Sequence, residues 1–219
     1  MSSVHDDNPH FGDRLAASVI RCGNPVLVGL DPRWESLPEG LRSGVNAANP
    51  SAVATAYQQF CQGVIDVVAP LVAIVKPQAA FFEQLGPPGM QALSDVIAYA
   101  HQLGLLVIVD GKRNDIGSTA VAYAQAYLGP GVNSVWGGDA LTVSPYLGDD
   151  SLEPFVTTAC ERGTGVFVVV KTSNPGGGFF QDLVCEGRPV YEHVAELVQC
   201  LALQSKGKTN YGSVGAVVG

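Results

Sequence analysis

The stretch Leu105-Leu106-Val107-Ile108-Val109-Asp110-Gly111-Lys112-Arg113-Asn114-Asp115 runs five aliphatic residues straight into a cluster of charge. An uninterrupted apolar run of this length is the pattern of a parallel strand covered on both faces, whereas a half-exposed strand would alternate. The pattern recurs on either side, at 26–31 (VLVGLD), 71–76 (LVAIVK), 139–144 (DALTVS), 166–171 (VFVVVK) and 214–218 (VGAVV).

Helical periods fill the intervals. Asn49-Pro50 offers an N-cap followed by proline at the first helical position, and Tyr57, Phe60, Val64 and Val67 then recur at steps of three and four. Met90, Leu93, Ile97 and Ala100 repeat the pattern. Asp149, Asp150 and Ser151 can cap a helix carrying Leu152, Phe155, Val156 and Ala159, stopped by Gly163. Val190, Val194, Leu197 and Leu201 mark a last helix closed at Lys206-Gly207.

Five strand–helix units and a sixth strand, with no Gly-x-Gly-x-x-Gly after the first strand, predict a single α/β domain over 1–219 of the TIM (β/α)8 barrel type; a doubly wound sheet is the alternative. A closed barrel of this kind has eight strands, and Gly219 stands at the end of the sixth. The expectation is therefore a C-terminally truncated barrel lacking its final two units, with strands one and six as open edges.

Composition narrows the class of function. The chain of 219 residues is 47% hydrophobic and 15% charged, which fits a well-buried globular domain. Its net charge of −8 argues against broad nucleic-acid or anionic-membrane binding, while leaving room for a local basic pocket. Five scattered cysteines with no C-x-x-C spacing read as reduced thiols. The opening MSSVHDDNPHF has no apolar signal core, so the expected location is the cytoplasm. His5, His10, His101 and His193 have no metal-ligand spacing such as H-E-x-x-H, so no metal site is expected.

In a sparsely charged chain, charge at strand ends is informative, because barrel enzymes carry their chemistry at the C-terminal rim. Strand one ends in Asp31, strand two in Lys76, strand three in Asp110 with Lys112 beyond it, and strand five in Lys171. By strand alternation Asp110 and Lys112 face the same way, roughly 6–7 Å apart, with Gly111 permitting close packing or a bend. Asp115 need not face the same pocket. Lys171 either faces the pocket or pairs with a neighbouring strand's acid, and Glu83, in the loop after strand two, reads as solvated. Trp34 and Trp136 read as packing anchors; Phe179-Phe180 reads as a lid seal or as core.

Asp110-Gly-Lys112-Arg113-Asn114-Asp115-Ile116-Gly117-Ser118-Thr119 resembles the D-x-K-x-x-D-I signature of the orotidine 5′-phosphate decarboxylase family, in its D-x-K-R-x-D-I-G-S-T form. The likeness continues in order through Val28-Gly29-Leu30-Asp31-Pro32, Val75-Lys76-Pro77-Gln78, Leu141-Thr142-Val143-Ser144-Pro145-Tyr146-Leu147-Gly148, Lys171-Thr172-Ser173-Asn174-Pro175-Gly176-Gly177 and Val214-Gly215-Ala216-Val217-Val218-Gly219.

The resemblance implies cofactor-free conversion of orotidine monophosphate to UMP and CO₂ in pyrimidine biosynthesis. It assigns Lys112 as proton donor to C6, Asp110 as the neighbour of the substrate carboxylate, and Lys76 as a ribose ligand that orients Asp110. It sends Asp115 into a partner subunit's site, implying a homodimer, and makes Asp31 a ribose ligand, Thr119 a ribose contact across the dimer interface and Ser173 the reader of the pyrimidine edge. It also puts the phosphate grip, including an arginine, in loops after strands seven and eight, so residues 1–219 alone are expected to turn over weakly or not at all. The loop 174–189 is expected to form part of a mobile lid.

Three other readings stay open. Mg²⁺-dependent sugar-phosphate decarboxylases and synthases of the same suprafamily share the D-x-K-x-x-D region but use an acidic metal ligand on the second strand, where Lys76 here repels a cation. A Schiff-base aldolase would use Lys76, Lys112 or Lys171. A truncated, non-catalytic nucleotide-binding or dimerisation module would bind without turnover.

Overall fold

Each apolar run becomes a strand; the four inner ones are largely buried, while the edge strands of the sheet keep exposed residues such as Leu27 and Val218. The computed structural model describes residues 9–129 and 133–219; His5 lies outside them. Six parallel strands, β1 (Leu27–Leu30), β2 (Ile74–Pro77), β3 (Leu106–Arg113), β4 (Ala140–Val143), β5 (Gly165–Lys171) and β8 (Val214–Val218), form one sheet in the order β1-β2-β3-β4-β5-β8. A short antiparallel pair, β6 (Val184–Cys185) and β7 (Arg188–Pro189), lies apart from it. A doubly wound sheet reverses its strand order part-way. Here the order follows the chain without reversal, and the sheet curls as a partial barrel.

The nine helices among the described residues are α1 (Phe11–Cys22), α2 (Glu39–Arg42), α3 (Pro50–Val68), α4 (Ala79–Glu83), α5 (Pro87–Gln102), α6 (Gly117–Tyr127), α7 (Glu153–Arg162), α8 (Gly178–Gln181) and α9 (Val190–Gln204). Alternate strand residues point to opposite faces. Val75, Val107, Val109, Leu141, Val166 and Val168 turn outward into the large core beneath the helices. Ile74, Leu106, Ile108 and Ala140 turn inward, where Phe11, Leu15 and Val19 of α1 pack on them. Phe11 meets Phe167 edge-on at 6.1 Å between ring centroids, at the end of the sheet where the strands begin.

Several local expectations hold. Asn49 caps α3 through its side chain with Pro50 at the first position, and Gly163 closes α7 in the left-handed conformation. Others need correction. The buried stripe of α3 is Val53, Ala54, Ala56, Tyr57, Cys61 and Ile65, so Val67, expected on the core face, is 67% exposed. Neither Asp149 nor Asp150 caps α7: its N-cap is Leu152, without a side-chain bond, and Ser151 Oγ donates instead to the Gly148 carbonyl. α9 ends one residue earlier than expected, at a Ser205 cap.

Candidate active site

The parallel register brings the C-terminal ends of β2, β3 and β4 to one rim. Lys76 Nζ donates to Asp110 Oδ2 at 2.5 Å, and Lys112 Nζ donates to Asp110 Oδ1 at 2.6 Å. One buried carboxylate therefore bridges two ammonium groups; its side chain is 6% exposed, against 28% for Lys76 and 48% for Lys112. Thr142, buried on β4, donates its hydroxyl to Asp110 Oδ1 at 2.9 Å and accepts the Lys112 backbone N–H at 2.9 Å. Burial alone pushes the Asp110 carboxyl up, but hydrogen bonds from Lys112, Lys76 and Thr142 outweigh it and hold the group below the usual carboxylate range.

Beside this array the curl of the sheet and α1 line a half-open cavity of about 510 Å³, walled by apolar side chains such as Leu15, Ile74, Ile108 and Phe167 and bordered by Lys76 and Thr142. An apolar, weakly polarisable wall strengthens charge interactions at its edge. With two ammonium groups against one carboxylate the array carries net positive charge that can hold an anion, and the Lys112 ammonium keeps an exposed side.

A family model for the orotidine 5′-phosphate decarboxylase / HUMPS family matches residues 24–219. An orotidine 5′-phosphate decarboxylase of Rhodopirellula baltica is 59% identical over 211 residues, covering 95% of this chain and 70% of that protein. The chain belongs to the orotidine 5′-phosphate decarboxylase family. The namesake from Deinococcus radiodurans is 42% identical over 96% of this chain and 70% of its own length. Among solved structures, one described as an orotidine 5′-phosphate decarboxylase from Streptomyces avermitilis superposes with a TM-score of 0.82 at 39% identity, over 100% of this chain and 72% of that one. The OMP decarboxylase of Leishmania donovani gives 0.71 at 35% identity, over 95% and 70%. The chain thus spans a little over two thirds of these family members, and their fold is the barrel read from the strand pattern.

Not every residue assigned through the orotidine 5′-phosphate decarboxylase signature joins the array. Asp115 is turned onto its own backbone, accepting the Ile116 N–H at 2.8 Å, and contacts neither lysine within this chain. Asp31 follows β1, Ser173 follows β5, and Thr119 sits in the first turn of α6; all three are exposed. Ser173 lies close to Gly219, at the end of β8.

Other expectations are decided by direct contacts. Lys171 pairs with Asp182 and sits 4.9 Å from the centroid of Tyr191, so it belongs to the loop after β5 and not to the pocket. Phe179 and Phe180 are 72% and 51% exposed, stacked edge-on, with Phe180 against Tyr146, which removes them from the core. Trp34 and Trp136 pack against the core, as expected of anchors. Glu83 is not simply solvated: it accepts from the guanidinium of Arg113.

Two residues beside the array carry no assignment from the sequence: Thr142, which bonds Asp110 and Lys112, and Arg113, which follows Lys112 and bonds Glu83 and Tyr127. The signal for Thr142 was a polar side chain inside an otherwise apolar run. Arg113 stood in the signature itself, beside the lysine.

Proposed function

We propose that the Lys76–Asp110–Lys112 array carries out the family's reaction, decarboxylating orotidine monophosphate to UMP without a cofactor. The observation that carries the reading is the single buried carboxylate bridging two ammonium groups at 2.5 and 2.6 Å. When the C6–carboxylate bond breaks, CO₂ leaves and the electron pair stays on C6, in the ring plane. The Lys112 ammonium stabilises that developing charge and then gives up a proton to form the C6–H bond; solvent returns the proton to the amine. Asp110 holds Lys112 and meets the substrate carboxylate, while Lys76 fixes Asp110 from the other side and reaches the ribose hydroxyls. Asp31 supplies a further ribose contact, Thr119 another across the dimer interface, and Ser173 reads the pyrimidine edge.

Residues 1–219 act as one barrel domain in a cytoplasmic homodimer. Among the described residues Asp115 makes no ion pair, and Ile116 beside it is 58% exposed. Both features fit a carboxylate delivered to a second copy's site. The scattered cysteines fit a reducing compartment. No helix among the described residues is long and apolar enough to cross a membrane. A magnesium-dependent reading is disfavoured because the Lys76 ammonium occupies the Asp110 carboxylate from the strand that would carry the acidic ligand.

The test is a crystal structure with UMP. Its C6 should lie about 3–3.5 Å from Lys112 Nζ, a separation from which a proton can transfer. A pyrimidine bound away from Lys112 would refute the assignment.

A further inference from the structure

β3 loses its regular path where its charges begin. It pairs evenly with β4 at Ile108↔Ala140 and Val109↔Leu141, then shifts so that Arg113 stands opposite Val143. Within the irregular segment Lys112 takes a φ of +44°. That is the left-handed region, which a long side chain adopts only when its surroundings impose it.

Two sets of contacts flank the turn. On one side Thr142 accepts the Lys112 N–H and donates to Asp110, each at 2.9 Å, so one hydroxyl ties the lysine's backbone to its side chain's partner. On the other side the Arg113 guanidinium donates to the Gly111 carbonyl at 3.2 Å, to the Tyr127 hydroxyl at 2.8 Å and to Glu83. It also lies 5.1 Å from the Tyr127 ring centroid. Gly111 between them has little room: a Cβ there would sit 3.3 Å from Leu141 Cδ1.

We propose that Thr142 and the Arg113–Glu83 pair are positioning residues, which hold Lys112 in its left-handed turn and so aim its ammonium at Asp110. The inference rests on Lys112 being the proton donor and adds the parts that orient it. In a regular strand nothing would fix where the four-carbon lysine stem ends. Here the backbone under that stem is clamped from β4 on one side and from α4 and α6 on the other. Arg113 follows Lys112 directly in the chain, and Glu83 and Tyr127 take up its guanidinium, while Asp110 is bonded by Lys76, Lys112 and Thr142.

The experiment compares decarboxylation by the wild type, Thr142→Val, Thr142→Ser, Glu83→Gln and Lys112→Ala, alongside UMP affinity and a crystal structure of Thr142→Val. Thr142→Val and Glu83→Gln should each lower kcat by about tenfold or more while UMP affinity stays within about threefold, since misaimed proton transfer costs rate and not ground-state binding. Thr142→Ser should recover most of the loss, and Lys112 in Thr142→Val should leave the positive-φ region. A merely structural threonine would lower the melting temperature with kcat unchanged. The proposal is overturned if Thr142→Val keeps kcat within about twofold of the wild type, or if Lys112 keeps its turn and its bond to Asp110 in that variant. Lys112→Ala with wild-type turnover would instead remove the proposed proton donor, and the Lys112 conformation in Thr142→Val would still decide whether the clamp exists.

Discussion

Arg14 places its guanidinium 2.6 Å from the buried carboxylate of Asp139, at the opposite end of the sheet from the lysines. The other carboxylate oxygen bonds His101 Nε2 and the Val107 N–H, both at 2.8 Å. One side chain at the start of β4 therefore joins α1, α5 and β3. Burial raises the Asp139 carboxyl, but His101 and Arg14 outweigh it and hold the group below its ordinary value.

Asp139→Ala should therefore cost about 3 kcal/mol of folding stability, the low end for breaking a buried pair, because Arg14 and His101 retain some access to water. Urea denaturation followed by circular dichroism checks this. A midpoint equal to the wild type would show that the group does not tie the elements together.

Asp13 offers a titration with a defined direction. Hydrogen bonds from Thr209, through its hydroxyl and its backbone N–H, and from the Lys208 N–H lower its carboxyl from 3.8 to about 2. Its folded value lies below its unfolded one, so the clasp between α1 and the 207–211 loop is fully present above 3.8 and is lost as pH falls through about 2. The NMR titration of the Asp13 carboxyl carbon should show a midpoint near the lower figure. A midpoint at the ordinary value would mean that the clasp is open in solution.

Gly165 begins β5 under the ring of Phe11, and a Cβ there would sit 2.4 Å from two ring carbons. Gly165→Ala should destabilise the fold by about 1–3 kcal/mol through overpacking, and Phe11→Leu in the same chain should return part of that loss. Thermal melts of the single and double variants measure both. An unshifted Gly165→Ala melt would show that α1 does not press on the sheet.

The inner strands were legible because burial on both faces leaves an uninterrupted apolar run; the edge strands β1 and β8 keep an apolar run although Leu27 and Val218 are exposed, and all six lie within or beside those runs. β2 starts late, at Ile74, since Leu71 is 58% exposed and belongs to the turn before it. Two long helices were harder to see. α1 precedes the first strand, where no strand–helix alternation frames it, and its contacts are made inside the sheet's curl. α6 buries Ala120, Ala124 and Tyr127 at helical spacing, but alanine gives little contrast between its faces. The Lys76–Asp110–Lys112 cluster was legible as charges ending neighbouring strands. The left-handed Lys112 and its clamp were not, because they depend on Thr142, Glu83 and Tyr127 arriving from β4, α4 and α6.

The most direct test of the site follows CO₂ release from orotidine monophosphate in single turnover, with protein in excess, so that slow chemistry is still visible. Wild-type protein should release CO₂, and Lys112→Ala should do so at least about 100-fold more slowly, the scale of a lost general acid, while still binding UMP. Equal rates in the two proteins would contradict the assignment of Lys112 and of the array built around Asp110.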